Sequence, residues 1–213
     1  MATTVLITGA ARGLGRGLVE AYLARANHVV IAAVRDPHSQ TAQTLEELSK
    51  GNGTRLLVVK IDSASEPDAA EAISFLGKEA VTHLDIVIAN AGIGEDYSRV
   101  DEVKLDVITK YIAVNVYGPL ALFQATLPLL SKSQKPIFTV VGSAVGTITG
   151  MEQRPFPSAA YGPSKAMLHW YGRKIHFENE NLIAFVSDPG YYKLSFSSAH
   201  SLMFSQLCTD GYG

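Results

Sequence analysis

Six short apolar runs alternate with longer helix-like stretches along this chain. The runs are Thr4–Thr8, His28–Val34, Arg55–Ile61, Leu84–Ala89, Pro136–Val141 and Leu182–Ser187. They are nearly continuous in apolar residues, which is typical of strands that are covered on both faces in a parallel sheet. The predicted helices between them are Leu14–Arg25, Gln40–Ser49, Pro67–Glu79, Asp101–Leu130 with a break near Gly118-Pro119, and Tyr161–Glu178. This alternation predicts an α/β protein with a doubly wound parallel sheet in three α/β/α layers.

Composition narrows the possible classes of protein. The length of 213 residues suits one domain over residues 1–213, and 47% hydrophobic against 18% charged residues argues against disorder. The net charge of −2 indicates neither nucleic acid nor a charged membrane surface as a partner, and no apolar run approaches the ~20 residues that span a bilayer. The single cysteine, Cys208, cannot form a disulfide within the chain. Because the N-terminus also lacks the pattern of a secretory signal, we expect a cytoplasmic location.

A glycine-rich turn with the spacing G-x-x-x-G-x-G follows the first strand and leads into the first predicted helix. Glycine permits positive φ and a close approach of backbone to ligand. The unpaired N–H groups at a helix start attract a pyrophosphate. The turn therefore predicts a dinucleotide site, although glycines here also suit a tight turn with no ligand. The candidate residues of this site are Gly9, Arg12, Gly13, Leu14 and Gly15.

The end of the second strand indicates which dinucleotide to expect. An NAD enzyme usually places a carboxylate there to hold the ribose hydroxyls, whereas this strand ends neutral and is followed by Arg35. Together with Arg12, this guanidinium would suit a 2′-phosphate, so we expect NADP (NADPH) rather than NAD. Asp36 weakens that interpretation, and Arg35 with Asp36 could instead form a solvated loop pair.

Tyr161 and Lys165 lie four residues apart and so share one face of the last predicted helix. Pro163 is tolerated only in the first turn of a helix, which places Tyr161 at the helix start. A neighbouring ammonium and the positive end of a helix favour phenolate, so the pair predicts acid–base catalysis by a tyrosine of lowered pKa. The same spacing also arises by chance on amphipathic helices.

Further polar residues follow other strands. Ser143 comes after the fifth strand, where its hydroxyl could hydrogen-bond a substrate carbonyl oxygen or satisfy loop backbone. Asn90 comes after the fourth strand, and its amide could tie neighbouring strands. Asn115 falls in mid-helix, which is unfavourable for asparagine and suggests a local purpose or a kink, unless the side chain is simply exposed. No metal site is predicted.

Taken in order, these motifs resemble the short-chain dehydrogenase/reductase family. The matching segments are Thr8–Gly15, Asn90-Ala91-Gly92, Asn115, Ser143, Tyr161 with Lys165, and Pro189-Gly190, over about residues 3–190. The resemblance implies a Rossmann-type fold and an oxidoreductase that reduces a ketone or aldehyde, or oxidises the alcohol. Within the family, the chain is similar to the norsolorinic acid ketoreductase-like and C-factor-like carbonyl reductases over Val5–Val19 and Asn90–Ile93, which suggests a role in secondary metabolism. The family resemblance also implies a homodimer or homotetramer that pairs through the fourth and fifth long helices, Asp101–Leu130 and Tyr161–Glu178.

The resemblance also implies a role for each residue. Tyr161 would donate a proton to the carbonyl oxygen, Lys165 would bind the nicotinamide ribose and lower the tyrosine pKa, and Ser143 would orient the carbonyl. Asn115 would hold a water in a proton relay to Lys165. The remaining cofactor contacts would be Asp62 at the adenine, Asn90, Ala91 and Gly92 at the ribose, and Pro189 and Gly190 beside the nicotinamide.

The chain departs from the family pattern after Pro189-Gly190. Tyr191–Ser195 stand where the family usually has a small β-branched residue or threonine, and the Ser-rich segment 191–213 predicts an atypical, shortened C-terminus. A missing last strand would expose a sheet edge and leave the pocket poorly closed. A second interpretation is therefore a dinucleotide-binding pseudoenzyme or assembly subunit. A methyltransferase-type Rossmann domain would share the glycine turn but gives no reason for Tyr161 and Lys165.

Overall fold

A parallel sheet forms the centre of the molecule. The computed structural model describes residues 2–95, 97–155 and 157–190, and within them six strands pair side by side. The strands are β1 Thr3–Thr8, β2 His28–Val34, β3 Arg55–Lys60, β4 Ile86–Ala89, β5 Ile137–Val141 and β6 Ile183–Ser187. Their order is β3-β2-β1-β4-β5-β6, and every pairing is parallel. The predicted doubly wound sheet is confirmed, and each predicted strand ends within two residues of its observed bounds.

Both faces of the sheet are buried. In β1, Val5, Leu6 and Ile7 are each 0% exposed. Leu6 packs in one apolar cluster, whereas Val5 and Ile7 pack in a second. Because successive side chains of a strand point to opposite faces, the two clusters lie on opposite sides of the sheet. The nearly continuous apolar runs in the sequence follow from this double cover.

The helices lie largely where the sequence predicts them. They are α1 Gly13–Leu23, α2 Gln40–Gln43, α3 Glu66–Lys78, α4 Leu105–Ile112, α5 Gly118–Leu130 and α6 Tyr161–Glu178. The prediction of a helix over Gln40–Ser49 is too long, since α2 ends at Gln43. Tight i→i−3 hydrogen bonds follow, such as that from the Leu48 N–H to the Leu45 carbonyl, and Leu45 stays fully buried in them.

The predicted helix Asp101–Leu130 also differs from the structure. It begins only at Leu105, because the N–H groups of Glu102 and Val103 both donate to the Arg99 carbonyl in a preceding turn. The break predicted near Gly118-Pro119 is a π-helical turn, Ala113–Tyr117, which joins α4 to α5 directly before Gly118.

The helical run Leu105–Leu130 is the one stretch of the described chain that is long and apolar enough to cross a membrane by length and composition. The sequence had led us to expect no run of this kind. Of its most apolar window 33% is buried inside the protein, and α5 packs against β4, β5 and α3. Its apolar character therefore has a structural role in covering one face of the sheet.

Candidate active site

The carboxyl ends of β1 and β4 lie side by side at the point where the strand order reverses. An open parallel sheet binds ligands at such a switch point. Asn90, directly after β4, donates its Nδ2–H to the Thr8 carbonyl at 2.8 Å. The Thr8 hydroxyl accepts the N–H groups of Asn90 and Ala91, each at 3.0 Å. The loops after the two strands are thus held together, and the structure contains the tie that the sequence predicted for Asn90.

The glycine turn leads from β1 into α1. Gly9 and Gly13 have φ of +66° and +57°, a region that side-chain-bearing residues rarely adopt. Arg12 stands just before the helix, but its side chain does not cap it, and the first turn, which includes Leu14, has no acidic residue. The N–H groups of this helix start are therefore left to an anionic ligand, and the turn fits the pyrophosphate of a nicotinamide dinucleotide.

The residues after β2 and β3 lie at the same edge of the sheet. Arg35 and Asp36 are both exposed, and no ion pair joins them in this described region. Asp36 instead accepts the His38 N–H at 2.9 Å in a local turn. Asp62, after β3, accepts the Ala64 N–H at 2.9 Å. The carboxylate that weakened the case for NADP is therefore engaged with the turn of its own loop.

Tyr161, Lys165 and Ser143 meet in the structure. Helix α6 begins at Tyr161, as Pro163 predicts. The Ser143 side chain lies beside the Tyr161 hydroxyl, where it acts to lower the pKa of the phenol, and Lys165 Nζ lies 5.7 Å from the centre of the Tyr161 ring. The Ser143 hydroxyl also accepts the Val145 N–H at 3.3 Å, so it serves loop backbone as well as the tyrosine.

The pKa of Tyr161 differs from the prediction made from the sequence. Burial raises the pKa of Tyr161 above 10.0, the Ser143 hydrogen bond lowers it, and the charges of Asp188 and Tyr97 raise it further. The predicted lowering is therefore wrong in direction. The Lys165 ammonium donates to the Val141 carbonyl at 2.7 Å, and it does not offset the burial of the phenol. Lys165 is 5% exposed, and burial lowers its own pKa to about 8.

Asn115 lies in the π turn and is fully buried, so the exposed alternative is wrong. Its Oδ1 accepts the Ile93 N–H, and its Nδ2 donates to the Ile93 carbonyl, both at 2.9 Å. Nδ2 also donates to the Ser164 hydroxyl at 3.0 Å, and that hydroxyl donates to the Tyr161 carbonyl at 2.7 Å. Asn115 therefore fixes the loop after β4 against the start of α6. Its role in a water relay stays a prediction.

The loop after β6 carries the remaining predicted residues, Pro189 and Gly190. Asp188 joins this loop to the one after β5, because its Oδ2 accepts the Ala144 N–H at 2.9 Å and its Oδ1 accepts the Gly190 N–H at 3.0 Å. Gly92 lies at the centre of the site, where a Cβ would be 3.7 Å from Lys165 Nζ. The predicted atypical tail, 191–213, and Cys208 lie outside the described residues.

Sequence reasoning missed two residues that support this site, His169 and Asp188. His169 Nε2 accepts the Ser143 N–H at 3.2 Å. A signal was present, because Tyr161, Lys165 and His169 repeat at four-residue spacing along one helix face. Asp188 had no comparable signal, since its partner Ala144 lies far away in the sequence.

A cavity of about 740 Å³ lies beside the start of α6, but not at the reacting group. Gly162, Pro163, Ala166 and Met167 of α6 line it together with loop residues that include Val145 and Ile148. Tyr161, Lys165 and Ser143 do not line it. The cavity therefore does not mark where a carbonyl would be reduced.

Comparison with known proteins defines the class. The family model for short chain dehydrogenase matches residues 3–193, and the chain belongs to the short-chain dehydrogenase/reductase family. It is therefore an oxidoreductase of a family that binds nicotinamide dinucleotides.

Particular proteins that this chain resembles are a ketoreductase, a carbonyl reductase with bound NADPH and a protein in complex with NADP. The chain is 41% identical over 206 residues to norsolorinic acid ketoreductase stcE of Emericella nidulans, covering 96% of this chain and 78% of that protein. The NADPH-bound carbonyl reductase from chicken fatty liver superposes with a TM-score of 0.82 at 28% identity, over 91% of this chain and 77% of that one. The RhlG/NADP complex of Pseudomonas aeruginosa superposes with a TM-score of 0.77 at 26% identity, over 99% of this chain and 78% of that one.

Proposed function

We propose that this protein is an NADP-dependent reductase of a ketone or aldehyde, with Tyr161 as the general acid. The observation that carries the proposal is the grouping of Tyr161, the Ser143 side chain and buried Lys165 at the sheet edge that holds the glycine turn. Nucleophilic or metal chemistry gives no comparable reason for a phenol, a hydroxyl and an ammonium at these positions.

The residues of the site act on the carbonyl oxygen. When bound, the reduced nicotinamide supplies the hydride for the carbonyl carbon. Tyr161 donates its phenolic proton to the oxygen, and the Ser143 hydroxyl orients that oxygen by hydrogen bonding. The raised pKa of Tyr161 keeps the phenol protonated at neutral pH, which suits reduction rather than alcohol oxidation. Lys165, whose pKa is about 8, is largely charged at pH 7 and stabilises the phenolate that forms.

Several residues support NADP as the dinucleotide. Arg35 is exposed, and Arg12 is exposed in the glycine turn, so both guanidinium groups could reach a 2′-phosphate. Asp36, which accepts the His38 N–H in its own turn, is the nearby carboxylate that weighs against that phosphate. Two structurally similar proteins, the chicken carbonyl reductase and RhlG, hold NADPH and NADP. By the family resemblance, the remaining contacts are Asp62 at the adenine, Asn90, Ala91 and Gly92 at the ribose, and Pro189 and Gly190 beside the nicotinamide.

Similarity to norsolorinic acid ketoreductases supports a ketone of secondary metabolism as the substrate class. The test is to incubate the purified full chain with NADPH or NADH and a panel of aromatic and aliphatic ketones and aldehydes, following NADPH absorbance. We expect turnover with at least one ketone of the panel and a preference for NADPH. Tight NADPH binding by fluorescence titration without turnover of any carbonyl would favour the pseudoenzyme interpretation instead.

A matched pair of alanine substitutions tests the glycine turn. A Cβ on Gly15 would lie 2.2 Å from the Gly9 carbonyl oxygen and 2.6 Å from Asn90 Nδ2, whereas a Cβ on Gly17 would meet nothing within 4 Å. We expect Gly15→Ala to weaken NADPH binding at least about tenfold and to destabilise the fold by about 1–3 kcal/mol. Gly17→Ala, the control, should keep affinity and gain about 0.5–1 kcal/mol. Fluorescence titration and urea unfolding measure both; unchanged affinity in Gly15→Ala would contradict the packing of this turn.

We also propose that the protein associates through the outer faces of the long helices. Tyr117, between α4 and α5, and Trp170 and Phe177 of α6 are 60%, 61% and 64% exposed. Large exposed aromatic side chains on neighbouring helices are typical of an interface. Size-exclusion chromatography with light scattering should give a dimer or tetramer mass, and a monomer at micromolar concentration would contradict the proposal.

A further inference from the structure

The backbone at Ser143 is held by an imidazole from α6. The Ser143 N–H donates to His169 Nε2 at 3.2 Å, across 26 residues of sequence. Gly142 makes room for this ring, because a Cβ there would lie 2.5 Å from His169 Nε2 and 2.5 Å from Val186 Cγ1. The imidazole therefore fits a gap that a side chain at position 142 would fill.

The next residue is held in a similar way. The Ala144 N–H donates to the Asp188 carboxylate at 2.9 Å. Two consecutive N–H groups after β5 are thus fixed by side chains from α6 and from the end of β6. Because the Ser143 hydroxyl faces Tyr161, the direction of that hydroxyl depends on these two anchors.

We propose that His169 is a positioning residue that holds Ser143 toward Tyr161 only while its imidazole is neutral, so that carbonyl reduction weakens when the ring is protonated. This inference rests on the proposed function, because it assigns the ring an effect on that reaction. His169 need not touch substrate or cofactor; it acts through Ser143.

The hydrogen bond fixes the form of the ring. A backbone N–H can only donate, so His169 Nε2 must be the unprotonated nitrogen and Nδ1 must carry the hydrogen. Protonation turns Nε2 into a donor, and two donors then face each other. The bond to Ser143 is lost in that state, and the loop after β5 is free to shift.

The charged groups around the His169 ring determine the pH at which the imidazole is protonated. Lys165 faces it from its own helix and Asp188 from the end of β6, while Gly142 of the β5 end and Val186 of β6 bring no charge. Burial lowers the pKa of His169 below its ordinary 6.5, Lys165 lowers it further, and Asp188 opposes them. The ring is therefore neutral at pH 7, and the loss of activity falls on the acid side.

Two substitutions separate the hydrogen bond from the titration. His169→Gln keeps an acceptor oxygen at the reach of Nε2 but cannot titrate, whereas His169→Leu keeps bulk and has no acceptor. We expect wild-type kcat with NADPH and a saturating ketone to fall as pH drops from about 7 to about 5. His169→Gln should stay within about twofold of wild type at pH 7.5 and lose that acid limb, and His169→Leu should lose kcat about three- to tenfold at pH 7.5 with KM for NADPH nearly unchanged. An acid limb in His169→Gln identical to that of wild type, or full kcat in His169→Leu, would overturn the inference.

A measurement on the wild-type chain avoids any folding defect of the variants. Long-range proton–nitrogen NMR of the His169 ring should show the Nδ1–H tautomer at pH 7.5 and a pKa below 6.5. An Nε2–H tautomer would overturn the inference without touching the proposed function. Absence of turnover by the wild type with every carbonyl would instead count against the proposed function, so the two failures are distinguishable.

Discussion

Tyr161→Phe should lose at least about 10³-fold in kcat while binding NADPH within about twofold of wild type. The substitution removes one hydroxyl and leaves the ring, which packs edge-on against Tyr111 with centroids 6.4 Å apart. The reaction then lacks its proton donor, and a positioned general acid contributes about 10²–10⁴-fold. Affinity should survive because phenylalanine keeps the ring, and because the glycine turn and the loop after β4 are still held together by Thr8 and Asn90.

The matched control for this substitution is Tyr171→Phe. Tyr171 lies on the same helix, and its ring packs edge-on against Trp170. Its loss of a hydroxyl should leave kcat within about twofold of wild type. Steady-state kinetics with the best ketone and fluorescence titration with NADPH measure both effects. Full turnover by Tyr161→Phe would remove the tyrosine from the mechanism, and loss of NADPH binding would assign it a role in cofactor binding.

Lys165→Met should abolish most activity and yet stabilise the protein at pH 7. A tenfold change in an acid dissociation constant corresponds to about 1.4 kcal/mol. The fall in the Lys165 pKa from 10.5 to about 8 thus means that burying its ammonium costs on the order of 3 kcal/mol. Methionine avoids that cost but loses the hydrogen bond from the charged ammonium to the Val141 carbonyl, which contributes about 1.5–3 kcal/mol. The net gain should be about 1 kcal/mol, or roughly 3 °C in Tm, while kcat falls at least about 10²-fold because the phenolate loses its neighbouring charge.

The pH dependence of this gain has a definite sign. Below pH 8 the lysine is protonated in both the folded and the unfolded chain, so the cost is fully present. Between pH 8 and 10.5 the folded chain has released the proton and the unfolded chain still binds it, so wild-type stability rises relative to Lys165→Met. Urea unfolding at pH 7 and pH 10 should show the difference shrink.

Lys174→Met serves as the control for charge removal on the same helix. Lys174 is exposed and pairs with Glu178 at 3.1 Å, so its loss should change stability by no more than about 0.5 kcal/mol. A Lys165→Met protein that is less stable than wild type at pH 7 would show that Lys165 holds more structure than the Val141 contact indicates.

The strands could be predicted because a strand that is buried on both faces needs apolar residues at nearly every position, which gives an unbroken apolar run in the sequence. The start of α6 was equally predictable, since Pro163 allows a helix to begin only within the preceding residues. The early end of α2 was not, because the burial of Leu45 by tight turns is a tertiary effect that overrides local helix propensity.

The site was predictable in its members but not in its electrostatics. Tyr161, Lys165 and Ser143 stand out by spacing and by their places after strands. The direction of the Tyr161 pKa depends on how deeply the fold buries the phenol and on Asp188, which sequence spacing does not reveal. The spacing of His169 from Lys165 placed it on the same helix face, but its partner, the Ser143 N–H, is a backbone group that the sequence does not reveal.

The π-helical turn at Ala113–Tyr117 has a consequence for the long helix that contains it. A π turn inserts one extra residue, and each residue of an α-helix advances by about 100°. Every side chain of α5 is therefore rotated by about that angle from where a single helical wheel drawn through α4 would put it. An alignment or designed graft that treats Leu105–Leu130 as one regular α-helix would therefore turn the wrong face of α5 toward the sheet. The extra residue of the π turn around Asn115 has to be left out when the helical positions are counted.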